Sequence, residues 1–244
     1  MAGKDLAVRM KEYEDVSRFY LTRRLPMIIR IDGKAFHTYT RGCEKPFDFN
    51  LIGAMIETAT FLCGEIQGAR LGYVQSDEIS IFCQTYDNLG TEPWLGGCIQ
   101  KIVSVAASLA TSFFNKIAPV DNRTANFDAR VFVLPHSEVT NYFIWRQQDW
   151  TRNSIEMLAR AHFSHKQLHC VNNKQMQEML FTQKGVNWSD LPNHLKNGVA
   201  VIEQEDGTWA SDPLTPIFSQ NRDYIETLVA PREDHETILP DMCN

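Results

Sequence analysis

The sequence lacks the features that mark secreted, membrane or zinc-binding proteins. Its six cysteines include no C-x-x-C pair and most lie in apolar stretches typical of a core, which argues against a structural zinc site. No apolar run approaches the roughly 20 residues that span a bilayer, and the first ten residues carry charges where a signal peptide would be apolar. We therefore expect a cytoplasmic globular protein that does not interact with a membrane.

Positive charge is also scarce, with 24 Lys and Arg against 30 Asp and Glu and a formal net charge of −6. This balance argues against a protein that coats nucleic acid nonspecifically, because phosphate contacts need Lys and Arg. An RNA enzyme of this composition would have to concentrate its positive charge locally, although such clusters are also typical of solvated faces. Three candidate clusters are Arg18, Arg23, Arg24 and Arg30; Lys34, Arg41 and Lys45; and Arg146, Arg152, Arg160 and Lys166.

The 244 residues are enough to bury a full core, and their pattern predicts an α+β fold. After a helix at 5–20, apolar runs predict strands at 26–31, 71–76, 79–83 and 131–134, with helices at 51–66 and 97–117. The order β-α-β-β-α-β predicts a ferredoxin-like antiparallel sheet of the polymerase-palm type, with helices on one face, over residues 1–135.

The remaining residues, 136–244, predict a helical and irregular C-terminal region packed on that domain. Helices are expected at 138–150, 153–163 and 172–184, and a strand at 198–203. From Trp209 onward the prolines predict an irregular tail, either an interaction segment or a disordered end.

Two carboxylates stand where strands of the predicted sheet end. Asp32 closes the first strand and is followed by Gly33, whose carbonyl could face the same ion, and Asp77 with Glu78 lies at the bend of a strand hairpin. In this topology the first strand pairs beside the hairpin, so Asp32 and Asp77 are expected to lie close together. Neighbouring carboxylates repel each other unless a cation separates them. Magnesium prefers such oxygen ligands, and two ions would activate an attacking oxygen and stabilise a leaving phosphate.

Spacing alone leaves other interpretations open. Aspartate is common in turns, so Asp32 and Asp77 could be turn residues. Lys34, Lys45 and Lys101 could be surface charges or could hold a triphosphate, and His37 could be a core or capping residue.

Five motifs, in order and spacing, resemble the tRNA-histidine guanylyltransferase family and its guanylyltransferase-like relatives, over about residues 5–203. The motifs are the segment Arg30-Ile-Asp-Gly-Lys-Ala-Phe-His37, Lys45-Pro46, Gln75-Ser-Asp-Glu78, Phe127-Asp-Ala-Arg130, and Trp145-Arg-Gln147 with Asp149. The resemblance implies a palm-like fold that runs polymerase chemistry in the 3′-to-5′ direction. ATP or GTP activates the 5′-monophosphate of a tRNA, and the 3′-hydroxyl of an incoming nucleotide then displaces the activating group.

The resemblance also implies roles for particular residues. Asp32 and Asp77 match the carboxylates that hold two Mg²⁺ ions, and the Gly33 carbonyl matches a backbone ligand. Glu78 matches the neighbouring acidic residue of the catalytic set, which either binds the metal directly or supports its ligands. Residues matching the nucleotide site are Gly33, Lys34, Ala35, Phe36, His37, Lys45, Ser76 and Lys101. Residues matching positions that support RNA or a second nucleotide are Arg130, Arg146, Asn153 and Lys174.

One departure from the family pattern narrows the expected activity. The guanylyltransferases proper have a His-Ile-Asn-Asn segment where this chain has Thr151-Arg-Asn-Ser154, so only Asn153 is retained. The sequence therefore resembles the relatives that repair shortened tRNA 5′ ends by copying the opposite strand more than those specific for tRNA-histidine.

Two further interpretations remain at this stage. A palm-type cyclase also places an Asp-Glu pair on a hairpin, but the Gly-Gly expected before that pair is replaced by Gln75-Ser76. A ferredoxin-like RNA-binding module without catalysis would need exposed aromatics on its central strands and no carboxylates at strand ends. Because an acidic monomer is poorly suited to grip a whole tRNA, we expect an oligomer, and the resemblance indicates a homotetramer.

Overall fold

The protein is seen here as a computed structural model, which describes residues 5–118, 120 and 123–232. Its strands are β1 (Met27–Gly33), β2 (Ala69–Gln75), β3 (Glu78–Cys83), β4 (Phe127–Val133), β5 (Val199–Glu203) and β6 (Trp209–Asp212). They form one antiparallel sheet in the order β4-β1-β3-β2-β5-β6. The first four strands thus have the predicted ferredoxin-like arrangement, and β5 and β6 from the C-terminal region extend it beyond β2.

The helices follow the strands in the predicted alternation. They are α1 (Leu6–Asp15), α2 (Phe36–Tyr39), α3 (Phe49–Glu65), α4 (Ile99–Ile117), α5 (His136–His162), α6 (His165–Leu168), α7 (Asn173–Lys184), α8 (Asn193–Asn197) and α9 (Asp223–Val229), with 3₁₀ turns at Trp94–Gly97 and Trp188–Asp190. Within the described ranges, none of these helices is long and apolar enough to cross a membrane.

The two faces of the sheet bury different sets of side chains because residues alternate along a strand. On one face Met27, Ile29 and Ile31 of β1 pack with α3 and α4. On the other face Ile28 packs with α5 and α9. Residues 30 and 32 of β1 lie on this second face, so the Asp32 side chain is on the side of the sheet that α5 covers.

The C-terminal region provides the helices that cover the second face of the sheet and a small helical cluster beyond the sheet. The first half of α5 packs on the sheet through Val139, Tyr142 and Phe143. Its second half packs with α6 and α7 around Leu158 and Leu180. We call the part from the second half of α5 through α7 the helical arm.

The predicted break between two helices in the C-terminal region is wrong. Two helices were expected at 138–150 and 153–163, but α5 runs unbroken through Thr151 and Arg152. Threonine is only mildly unfavourable in a helix interior, and no Gly or Pro is present there to end it. The arm is therefore joined to the sheet by one continuous helix.

The prediction of an irregular tail from Trp209 is also wrong for the described residues. Trp209–Asp212 forms β6 by pairing with β5, and Asp223–Val229 forms α9. The prolines at 213 and 216 follow β6 rather than interrupt it. Residues 233–244 of the predicted tail lie outside the described residues.

Candidate active site

The end of β1 is fastened to the hairpin turn by backbone hydrogen bonds. Gly33 N donates to Asp77 O at 3.0 Å, and Lys34 N donates to Asn126 O at 2.8 Å. In the sheet register Asp32 lies between Glu78 of β3 and Asp128 of β4. The predicted neighbourhood of Asp32 and the Asp77 turn therefore follows from the pairing of three strands.

Asp77 occupies the two-residue turn between β2 and β3, after Ser76, which has a φ of +50°. Burial is the main cause that raises the pKa of Asp77, and the charges of Asp32 and Glu78 raise it further. Hydrogen bonds from the Asp77 backbone and from Ser76 act in the opposite direction. The turn thus holds a carboxylate that would be stabilised by a cation.

The donor groups at this turn suit magnesium. In the part of the chain that the structure describes, no three His, Cys, Asp or Glu side chains gather as a metal site. The available set is instead two carboxylates, Asp32 and Asp77, with the neighbouring Gly33 carbonyl. Magnesium is commonly held by one or two carboxylates, with water and substrate phosphates completing its shell. The residues present therefore fit that ion.

Gly33 is required at its position for steric reasons. A Cβ built there would lie 2.6 Å from Phe36 Cγ. The Phe36 ring is itself buried against Tyr39, Phe114 and Phe127, with centroid distances of 5.1, 5.7 and 5.1 Å. Phe36 therefore anchors the segment after β1 as well as lining the site.

Glu78 is buried, at 5% exposure, and its carboxylate is already neutralised. Arg146 binds it with two hydrogen bonds, Nε to Oε1 at 2.7 Å and Nη2 to Oε2 at 2.9 Å, and Arg30 forms an ion pair with it. Gln75 Nε2 donates to Oε1 at 3.1 Å. In this arrangement Glu78 holds two arginines rather than facing a metal ion.

Arg146 is placed differently from the RNA contact that was expected. It is 4% exposed, and its guanidinium is bound to Glu78 and to Asp149, with Nη2 to Oδ2 at 2.9 Å. Asp149 in turn forms an ion pair with Arg152. Arg146 thus connects α5 to the sheet, and two carboxylates occupy its guanidinium.

A cavity of about 400 Å³ opens beside Asp77. It is lined by six of the predicted nucleotide-site residues, namely Gly33, Ala35, Phe36, His37, Lys45 and Ser76. Its volume lies within the range of small-molecule sites. The structure therefore brings most of the predicted nucleotide residues together around one space.

The cavity has a wall that sequence reasoning missed. Trp150 and Met157 of α5 line it, together with Cys43, Glu44, Pro46, Phe47, Asp48, Leu51 and Ile52. Asp48 caps α3 by accepting from Leu51 N at 3.0 Å, and it also accepts from Glu44 N at 3.0 Å. An aspartate just before an apolar helical repeat was a readable capping signal, whereas nothing local indicated Trp150.

Burial alone would raise the pKa of Asp48, but the backbone N–H groups of Leu51, Glu44 and Asn50 lower it overall. The carboxylate that borders the cavity is therefore held in its charged form by the cap of α3.

Two predicted cations lie apart from the cavity lining. Lys34 has an exposed side chain, and its backbone N–H is held at the site by the hydrogen bond to Asn126 O. Lys101, for which a phosphate contact was expected, lies in the first turn of α4. Asn115 near the other end donates to Ala125 O at 2.8 Å beside the site, and Lys101 stands about four turns, or about 20 Å, away along the helix.

The remaining predicted RNA residues lie in two places. Arg130 of β4 is exposed, and its Nη2 lies 4.0 Å from Asp32 Oδ2 and 3.5 Å from Asp128 Oδ1. Asn153 and Lys174 are exposed on the helical arm. Asn173 Nδ2 donates to Arg152 O at 3.1 Å, so the start of α7 lies beside this part of α5.

Comparison with known proteins agrees with this geometry. The sequence profile described as tRNAHis guanylyltransferase, Thg1, matches residues 7–135. The tRNA(His) guanylyltransferase of Schizosaccharomyces pombe is 29% identical over 219 residues, which cover 82% of this chain and 81% of that protein.

Solved structures are also similar. A bacterial tRNA(His) guanylyltransferase (Thg1)-like protein in complex with ATP has a TM-score of 0.89 and 50% identity, and the match covers 93% of this chain and 99% of that one. A bacterial protein of the same description in complex with GTP has a TM-score of 0.78 and 44% identity, covering 92% of this chain and 98% of that one. A yeast guanylyltransferase from Saccharomyces cerevisiae, at 23% identity and a TM-score of 0.68, shares the fold.

Proposed function

The chain belongs to the tRNAHis guanylyltransferase family, and on that premise we propose that it is a magnesium-dependent 3′-to-5′ nucleotidyltransferase that repairs truncated tRNA 5′ ends by copying the opposite strand. The observation that carries this proposal is that Asp77 lines a nucleotide-sized cavity and is joined by a backbone hydrogen bond to Gly33, the residue that follows Asp32. The match to relatives solved with ATP and with GTP supports a nucleoside triphosphate as the occupant of that cavity.

Two bond exchanges make up the proposed reaction. A 5′-phosphate oxygen of the tRNA attacks the α-phosphorus of ATP or GTP, and pyrophosphate leaves. The 3′-hydroxyl oxygen of an incoming nucleotide then attacks the activated 5′-phosphorus, and AMP or GMP leaves. Magnesium, when bound by Asp32, Asp77 and the Gly33 carbonyl, would supply charge neutralisation for the attacking and leaving oxygens.

The side chains around the carboxylates have the charges that this reaction needs. Lys45 lines the cavity, where its ammonium group can neutralise a triphosphate, and His37 lines it as a polar side chain. Arg30 and Arg130 flank Asp32, with Nη2 atoms 3.8 and 4.0 Å from Oδ2. Arg30 is held by Glu78, whereas Arg130 is exposed. We therefore assign Arg130 to the RNA phosphate.

The preference for repair over strict tRNA-histidine specificity is supported by the segment that departs from the family pattern. Thr151 Oγ1 donates to Lys196 O at 3.4 Å, and Ser154 Oγ donates to Leu195 O at 2.6 Å. Both hydroxyls therefore join α5 to α8 inside the fold. No imidazole stands at position 151 to contact an RNA.

We expect the protein to add labelled nucleotide to several tRNA transcripts that each lack the first 5′ residue. The added base should be complementary to the opposite strand, and the reaction should require magnesium and an activating triphosphate. Incorporation is measured on denaturing gels and by sequencing of the product. Addition of guanosine to tRNA-histidine alone would instead establish the narrower guanylyltransferase activity, and no addition to any transcript would refute nucleotide transfer to tRNA.

We expect a homotetramer, with a mass in solution of four times 28.0 kDa by size exclusion with light scattering. No residue of α1 is buried, and Leu6, Tyr13, Val16 and Phe19 are 60 to 77% exposed. Several exposed apolar side chains on one short segment indicate a surface that associates with another protein chain. Replacing Tyr13 and Val16 together with glutamate should lower the mass, and a monomeric wild type would contradict the expectation.

A further inference from the structure

One tryptophan is exposed on a helix whose other aromatic residues are mostly buried. Trp145 of α5 is 50% exposed, whereas Trp150 on the same helix is 3% exposed and Phe143 is fully buried. Neither the cavity nor the sheet core uses this indole. Half of this large aromatic side chain is therefore in contact with water, where its π-face can stack on another ring.

The indole is held in place rather than free to rotate. The Arg146 guanidinium lies over the ring, 4.4 Å from its centroid, and Tyr142 meets it at 5.9 Å with an interplanar angle of 62°. Arg146 is fixed by its two hydrogen bonds to Glu78. With one face under a fixed guanidinium, the exposed half of Trp145 presents a rigid flat surface.

This surface lies on the same side of the sheet as Asp32. Tyr142, one turn before Trp145, contacts Phe132 of β4 at 5.7 Å between ring centroids. Arg130 also lies on β4, two residues before Phe132 and closer to the carboxylates. Its Nη2 is 4.0 Å from Asp32 Oδ2. Arg152, two turns after Trp145 on α5, is a second exposed arginine, which is paired with Asp149. The indole therefore stands between two exposed arginines, Arg130 and Arg152, on the face of the sheet that carries Asp32.

We propose that Trp145 is a stacking platform for the 5′-terminal base of the RNA substrate. This inference rests on the proposed function, and it adds a base-binding residue to that site. The occupant is an RNA base because the cavity beside Asp77 already accounts for an enclosed nucleotide, whereas Trp145 is exposed outside that cavity, between Arg130 and Arg152. An aromatic face binds any base, as repair of many tRNAs requires.

The test uses a truncated tRNA transcript that carries the fluorescent base 2-aminopurine at its first position, with magnesium but no nucleotide. Stacking on Trp145 should quench this fluorescence with wild type and with Trp145→Phe. Trp145→Leu keeps an apolar side chain without a π-face, so it should leave the fluorescence unquenched. We expect the leucine variant to bind the transcript roughly ten- to a hundredfold more weakly.

The salt dependence of RNA binding distinguishes a stacking contribution to affinity from a charge contribution. For Trp145→Leu the slope of log Kd against log salt should equal that of wild type, whereas Arg130→Gln should reduce it by about one while quenching persists. ATP binding, measured separately, should be unchanged in Trp145→Leu. A transcript labelled in the anticodon loop provides the control, because its fluorescence should not respond to Trp145.

Equal quenching by wild type and Trp145→Leu would overturn the stacking assignment, as would a loss of ATP binding in that variant. A fall in oligomer mass for Trp145→Leu with unchanged quenching would show instead that the indole lies between copies of the chain. The quenching experiment contains no nucleotide and therefore does not require transfer activity. Quenching that depends on residue 145 would support the stacking site even if the wild type failed to extend tRNA. The stacking site and the proposed transfer activity can therefore fail independently.

Discussion

Replacing Asp32 or Asp77 with asparagine is expected to reduce magnesium-dependent incorporation into truncated tRNA by about three orders of magnitude or more, which corresponds to about 4 kcal/mol of transition-state stabilisation. Asparagine keeps the size of each side chain and removes the negative charge that a divalent cation requires. The measurement is the initial rate of labelled nucleotide incorporation for each variant across a magnesium titration. Because either carboxylate alone is a poor site, both single variants should fail.

Asp206→Asn is the matched control, because this residue is also an aspartate in the connection between two strands, between β5 and β6, and it is exposed. It should retain the wild-type rate. A rate within tenfold of wild type for Asp32→Asn or Asp77→Asn would contradict the assignment of that residue to the metal.

The fold of Asp77→Asn should remain intact in metal-free buffer. Burial and the neighbouring carboxylates raise the pKa of Asp77 in the folded protein, so its ionised form is less favourable there than in the unfolded chain. The contribution of Asp77 to stability therefore falls as pH rises from about 4, the ordinary aspartate pKa, through the raised value. At neutral pH the asparagine variant should therefore be at least as stable as wild type to denaturant.

Replacing Glu78 with alanine is expected to lower the free energy of unfolding by about 3 to 5 kcal/mol. The change leaves Arg146 buried and Arg30 nearly so, without the carboxylate that both now bind. Glu78→Gln keeps an acceptor oxygen for Arg146 and should lose less. Equilibrium unfolding in urea measures both variants at neutral pH.

An exposed glutamate provides the comparison for Glu78. Glu226 pairs with Arg222 at 3.0 Å on α9, and both side chains are more than 40% exposed. Glu226→Ala should cost less than about 1 kcal/mol, since exposed ion pairs contribute little. If Glu78→Ala were as mild as Glu226→Ala, Glu78 would not be the counter-charge on which Arg30 and Arg146 depend.

The strands and turns of the site could be predicted from the sequence because their signals are local. An apolar run ends at Asp32 and Gly33, and two short runs meet at Ser76 and Asp77. Alternation along β1 and the hairpin then determines which side chains share a face. The relative positions of Asp32 and Asp77 required only the known order of strands in this supersecondary pattern.

The rest of the site depends on contacts between distant parts of the chain. Glu78 and Arg146 are 68 residues apart, and neither has a local feature that predicts their pairing. The Trp150 wall of the cavity exists because α5 crosses the sheet. Lys101 has a residue type that suits a phosphate, but the length of α4 separates it from the cavity.

The unbroken course of α5 has a mechanical consequence. From Arg146, anchored under the sheet by Glu78, to His162 at its end, the helix extends about 24 Å as one rod. A contact made by the arm is thereby kept at a set distance and angle from the carboxylates. The enzyme would then distinguish RNA substrates by the distance between two points on the RNA, one that contacts the helical arm and one that reaches the end of β1.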